Sequence, residues 1–227
     1  MNIKRYIATI ILAIVLLLNF SCTDWLDVKP VDRMSEDQLY STEAGFRQAL
    51  NGIYVELNHA DLYGDELLVN TVEILAQRYK FSSMGTLTNQ YHLAEFDYTT
   101  DYAKKCGSRI WEKAYALIAN VNKLLKNADS HKDLFTGDSY DLITGEAYAL
   151  RAFLHFDLLR LFGPVYKTHK EDKSICYNTQ FSLSGSDLLP ASKVMEYVIA
   201  DLKEAEDRLA KDPIIEEGPL LSDGATE

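Results

Sequence analysis

Residues 146–166 read EAYALRAFLHFDLLRLFGPVY. The run is apolar and helical in pattern, and it stops abruptly at Gly163-Pro164. A glycine followed by a proline that cannot continue the helix is a C-terminal signal. A helix over about 138–162 is the reading. It nevertheless carries Arg151, His155, Asp157 and Arg160. Arg151, His155 and Leu158 share one face, and Asp157, Arg160 and Leu161 share another. His155, Asp157 and Glu146 are acid–base residue types, but positions 155 and 157 lie about 200° apart around a helix and do not converge. Arg151 and Arg160 are therefore expected to satisfy helix-terminal carbonyls or carboxylates on neighbouring helices, with their stems on apolar surface.

Other segments carry the same 3.6-residue period. Phe46, Ala49, Leu50, Ile53, Tyr54 and Leu57 mark a helix over 42–57. Ile110, Ala114, Leu117, Ile118, Val121 and Leu125 mark one over 108–127, with Trp111 beside the stripe and assigned to core packing. Val194, Tyr197, Val198, Leu202, Ala205 and Leu209 mark one over 192–211 and are expected inward. "SEDQLY" (35–40) has a capping-box spacing, Ser35 with Gln38, before a short helix. Residues 91–98, YHLAEFDY, alternate weakly and read as a short strand or an extended loop. The connections 58–107 and 163–191 read as mostly irregular, with a short helix near 66–77. An all-α domain of antiparallel helix pairs with long irregular loops follows. No 34-residue self-similarity is present, so the pairing is inferred from amphipathicity and not from a repeat.

The chain opens with Lys4 and Arg5 and then about 15 apolar residues, 6–20. That is short for a membrane-spanning helix, which needs ~20, and fits a signal peptide. Ser21-Cys22 follows directly, the pattern of a bacterial lipoprotein. Residues 1–21 are then a leader, Cys22 carries the lipid, and 22–34 form a tether in which Trp25 docks on the domain or on a partner. An uncleaved N-terminal anchor is the other reading. Asn19 and Phe20 depart from the usual lipobox. The net charge is −11, and loss of Lys4 and Arg5 with the leader takes it to −13. An acidic chain argues against nucleic acid and against polybasic membrane attachment. Cys106 and Cys176 lack CxxC spacing; a disulfide and two free thiols both remain open. No metalloprotease, nucleophile-elbow, phosphate-loop or EF-hand spacing occurs.

Several stretches together resemble one family. SCTDWLDVKP (21–30), TEAGFRQALNGIYVEL (42–57), WEKAYALIANVNKLL (111–125), GEAYALRAFLHFDLLRLFGPVY (145–166) and VMEYVIADLKEAEDRL (194–209) are similar, in order, to segments of SusD/RagB outer-membrane lipoproteins. Trp111, Tyr115, Asn120, Arg151, Asp157, Arg160 and Gly163 carry the signature. Two departures stand out. Gly163-Pro164-Val165-Tyr166 replaces an expected Asp-Val-Pro, and family members run much longer. The chain therefore reads as an N-terminal portion, a truncated gene or a shortened relative, residues 35–227 forming the incomplete helical domain.

The resemblance implies a tetratricopeptide-like scaffold and a non-catalytic, cofactor-free surface lipoprotein of the outer membrane. Such a protein captures oligosaccharides, or sometimes peptides, for a SusC-like TonB-dependent β-barrel transporter. A non-catalytic helical adaptor or scaffold lipoprotein that binds no glycan, or a truncated non-functional relative, is the alternative. Sugar binding needs aromatic faces and planar polar groups. The 58–107 connection supplies Arg78, Tyr79, Phe81, Asn89, Gln90, Tyr91, His92, Tyr98 and Tyr102. Tyr79 and Tyr91 are the chosen stacking residues, with Arg78 and Asn89 as polar partners.

Overall fold

The structure, a computed structural model, describes residues 35–81, 88–181 and 186–212. Cys22, Trp25 and the leader, tether and C-terminal boundaries lie outside them. The described residues form α-helices, with no strand longer than one isolated bridge. In chain order these are α1 (Glu36–Leu39), α2 (Glu43–Leu57), α3 (Thr71–Leu75), α4 (Thr88–Ala94), α5 (Asp101–Ser130), α6 (Ser139–Phe162), α7 (Tyr166–His169) and α8 (Ala191–Leu209). A 3-10 turn, Lys132–Leu134, links α5 to α6.

Four long helices carry the main core. Helix α2 starts where Thr42 accepts a hydrogen bond from the Gly45 amide at 3.1 Å, satisfying one of the first-turn donors. Its Phe46, Leu50 and Ile53 are buried against α5 and α6. Helix α6 packs on α5 and along α8. Leu154 and Leu158 of α6, Ile118 and Val121 of α5, and Val194 and Val198 of α8 meet in one cluster. Gly145 lets α6 and α8 close up: a Cβ there would lie 2.9 Å from Leu209 Cγ and 3.0 Å from Arg208 Cβ. The α6 terminus is also set by lack of space. Gly163 has ordinary extended backbone, but a Cβ would come within 2.4 Å of the Leu159 carbonyl oxygen, which already accepts from the Gly163 amide at 2.9 Å.

Helices α3 and α4 form a separate satellite. Ile74, Leu93, Ala94 and Ala103 make a small cluster of their own against the start of α5. Both short helices end alike. The Arg78 amide donates to Glu73 O and the Gln77 amide to Ile74 O; Asp97 donates to His92 O and Phe96 to Leu93 O. Each pattern closes the helix with a residue in the left-handed region, where glycine is usual. Here those residues are Gln77 and Phe96, both at φ 57°. The Gln77 side chain donates to Ala94 O at 2.7 Å, which sets the two helix exits side by side.

Three expectations need correction. Residues 91–98 are not extended: they hold the end of α4 and its closing turn. Helix α5 begins at Asp101 and not near 108, capped by Thr100, whose hydroxyl accepts from Ala103 N at 3.2 Å. On α8, Tyr197 and Leu202 are exposed and Asp201 takes the inward position. The connection 163–191 is mostly irregular, as expected, and Ser174–Tyr177 within it is buried. Its backbone is accounted for. Ser174 N donates to Leu189 O, Leu189 N to Ile175 O, and the Tyr115 hydroxyl to Cys176 O. Cys106 and Cys176 are both free and buried.

Candidate functional site

Arg151, the centre of the signature helix, is 6% exposed. Its Nε and Nη2 donate to the two carboxylate oxygens of Asp201 at 2.7 and 2.8 Å, a two-pronged pair. Its Nη1 donates to Asn122 Oδ1 at 2.9 Å. Tyr177 donates to Asp201 at 2.5 Å, and Asn122 Nδ2 to Asn178 O at 2.9 Å. Burial, then the Asp201 carboxylate, pushes the Tyr177 phenol up. The network ties α5, α6, α8 and the buried 174–179 segment together.

His155 joins the same block and is fully buried. Its Nδ1 meets the Arg151 carbonyl at 2.8 Å, and its Nε2 meets the Asn178 amide at 3.1 Å. A carbonyl only accepts and an amide N–H only donates, so the proton sits on Nδ1 and Nε2 is the acceptor. Burial pushes the imidazole down to about 4, so it is neutral at neutral pH. The ring stacks on Tyr177 with centroids 3.9 Å apart. Both nitrogens are used and the ring has no solvent access. Nothing in this block resembles a nucleophile with its base, and its chemistry is that of a structural clamp.

Asp157 and Arg160 lie elsewhere. Asp157 accepts from Tyr63 at 2.7 Å and pairs with Arg160 at 2.7 Å within the same helix. Arg160 lies over the Phe156 ring. Among the described residues its hydrogen bond and ion pair go to Asp157, three residues back on the same helix face, and not to a carboxylate of a neighbouring helix. Trp111 packs on Tyr115 and edge-on to Phe162, with centroids 4.8 and 5.2 Å away. Asn120 is exposed and Asn122 is the buried asparagine. Two residues along a helix turn a side chain about 200°, so the signature asparagine and the working one face opposite ways.

A second polar block anchors the satellite. Buried Glu66 accepts from Thr71 Oγ1 and from Arg109 Nη2, each at 2.5 Å, and Arg109 Nε lies 3.4 Å from Asp61. These bonds fasten the 58–70 segment to α5.

The aromatic surface lies on that satellite. Tyr79 is 43% exposed, and its hydroxyl donates to Val69 O at 2.8 Å; its ring meets Phe81 edge-on. Arg78 extends into solvent, 3.9 Å from Glu73. Asn89 is exposed and Tyr91 half-buried against His92. Among the described residues no hydrogen bond or ring contact joins Tyr79 to Tyr91. The Gln77–Ala94 bond instead puts Arg78 and Tyr79 beside the exit that carries Phe96 and Tyr98, which are 51% and 57% exposed. Asp97, between them, accepts from the Thr99 amide and hydroxyl, and these bonds hold its carboxyl below the usual range. Phe96 was absent from the sequence candidates. The missed signal is a helical break after Ala94 that leaves an aromatic outward.

Comparison with known proteins agrees with this architecture. Residues 24–216 match the SusD-like family model described as "Starch-binding associating with outer membrane". A SusD-like protein of Formosa agariphila is 27% identical over 208 residues, covering 91% of this chain and 38% of its own length. A second from the same organism is 27% identical over 63% of this chain and 28% of its own length. The chain thus spans well under half the length of these relatives. A SusD superfamily structure from Bacteroides fragilis superposes with a TM-score of 0.61 at 18% identity, over 73% of this chain and 39% of that one. A SusD-like carbohydrate binding protein from Bacteroides vulgatus gives 0.61 at 22%, over 73% and 35%. At these identities the likeness is one of fold, the tetratricopeptide-like helical scaffold.

Proposed function

Because this chain belongs to the SusD-like family, we propose that it is part of a cell-surface lipoprotein that captures oligosaccharides. In this reading Cys22 carries the lipid at the outer membrane, and a SusC-like TonB-dependent β-barrel transporter receives the sugar. Residues 1–21 are the leader, 22–34 the tether, and 35–227 the N-terminal helical portion of a larger binding protein. The protein is a binder and not an enzyme.

One observation carries the reading. The Gln77–Ala94 bond joins the exits of α3 and α4, and the residues after it, Arg78, Tyr79, Phe96 and Tyr98, are exposed. Flat aromatic faces suit sugar C–H surfaces, and the guanidinium suits hydroxyls. In this reading Asn89 and Tyr91, on α4, are the further sugar contacts.

The test is titration of detergent-solubilised full chain with a panel of maltohexaose, xylohexaose, cellohexaose and mannohexaose, followed by tyrosine fluorescence and calorimetry. Saturable binding of one sugar class is expected. Tyr79→Ala and Tyr98→Ala are each expected to weaken it about threefold to tenfold, the effect of one lost stacking contact. Silence across the panel would move the adaptor alternative ahead.

A further inference from the structure

Between the satellite and the ends of α5 and α6 lies a cleft of about 390 Å³. Its walls include Leu75, Leu93, Ile110, Leu161 and Phe162, with Cys106 among them. Exposed Tyr98 and Lys104 stand at its mouth, and a neighbouring hollow sharing Leu75, Tyr98 and Leu161 extends it to Arg160. The cleft exists because the satellite cluster and the main core are separate and meet along α5. Its volume is that of a small-molecule site. An apolar cavity of ~150 Å³ already accepts a benzene ring, so this one has room for a ring and a short chain.

The charges at the mouth are unequal. Arg160 is held by Asp157, with Nε 2.9 Å and Nη2 2.7 Å from the carboxylate. Lys104 has no carboxylate within ion-pair distance among the described residues, and Asp97 interacts with it only at longer range. An apolar chamber with one unpaired ammonium at its opening suits an apolar body with an anionic end.

We propose that the cleft binds an aromatic acid, an aryl ring with a short carbon tail ending in a carboxylate. The ring lies among Leu75, Leu93, Ile110 and Phe162, with the Cys106 sulfur against it, a favourable sulfur–aromatic contact. The carboxylate meets Lys104. The cleft shares Tyr98 at its mouth with the proposed oligosaccharide surface, but the proposal does not rest on sugar binding.

The experiment titrates 3-phenylpropionate into detergent-solubilised full chain, read by ligand-observed NMR and calorimetry. One-site saturable binding is expected. Gly107→Leu fills the chamber: a Cβ there meets only Phe162 Cε1, at 3.7 Å. Leucine is also the better helix former, so α5 persists. Binding should weaken at least about tenfold in that variant. Lys104→Gln should weaken 3-phenylpropionate about threefold to tenfold and leave 3-phenylpropionamide unchanged. Absence of saturable binding by the wild type overturns the proposal, as does binding that survives Gly107→Leu with an unchanged Tm. Should Gly107→Leu fail to fold, the acid–amide comparison decides: equal effects of Lys104→Gln on both probes overturn the proposal.

Discussion

The four-helix bundle and the satellite of α3 and α4 are stabilised differently. The bundle buries long apolar faces and closes them with a fully bonded charge cluster at Arg151 and Asp201. The satellite has a small core of its own, two helices of five and seven residues, and two non-glycine residues in left-handed backbone. Strain of that kind costs about 1–3 kcal/mol per residue and persists only where the surroundings enforce it. At Gln77 the enforcing bond is visible, its side chain to Ala94 O. Phe96 has no such bond, and its ring is half exposed. Chain regularity thus resides in the bundle, while strain and exposed aromatics gather in the layer proposed to bind sugar.

Mutation of the two regions should give unequal results. The largest effect belongs to the bundle. Asp201→Ala strands the buried Arg151 guanidinium and removes the acceptor of Tyr177, and should cost about 3–5 kcal/mol in urea unfolding. The double variant Arg151→Met, Asp201→Leu should cost less than Asp201→Ala alone, because no unpaired charge remains. A double variant as damaging as the single would mean that the pair itself, and not the stranded charge, sets the loss.

Acid should also act on the bundle. Burial lowers the His155 imidazole from 6.5 to about 4. Between those values the unfolded chain holds the extra proton, so this contribution is fully present above about pH 6.5. It is lost as pH falls toward 4, by about 3 kcal/mol in all. His155→Gln should flatten that part of a stability–pH curve. An unchanged slope would show that another group titrates there.

The satellite effects are smaller and differ from each other. Phe96→Gly should stabilise by about 1 kcal/mol, since glycine occupies left-handed backbone without strain. Gln77→Gly relieves the same strain but loses the bond to Ala94 O, worth about 1 kcal/mol, and should be near neutral. Equal stabilisation by both would show that the side-chain bond contributes nothing.

The sequence made the bundle legible because its apolar positions recur over four or more turns and its ends carry local signals, Thr42 at one and Gly163-Pro164 at another. The satellite was only partly legible, for the converse reason: the short helix expected near 66–77 is α3, but the sequence over the end of α4 reads as a strand or extended loop. Helices of five and seven residues are shorter than a periodic pattern needs. Thr100-Asp101 did mark the true start of α5, but Gly107 and the polar residues around it hid the first two turns. Asp201 was overlooked although it stands on an apolar stripe three residues from Val198 and four from Ala205, a placement that signals a buried ion pair. Asn122, next to Val121, carried the same signal. The proposed contacts Tyr79 and Phe96 lie on helix exits joined by the Gln77–Ala94 bond, which spans 17 residues and has no counterpart in local pattern.

Hydrogen exchange read by mass spectrometry, on full chain with and without the hexasaccharide that binds in the titration, is the decisive measurement. Protection is expected in the peptides over 71–81 and 88–98, with 113–130 and 143–160 unchanged. Protection confined to α8, or to the bundle, would contradict a sugar surface on the satellite.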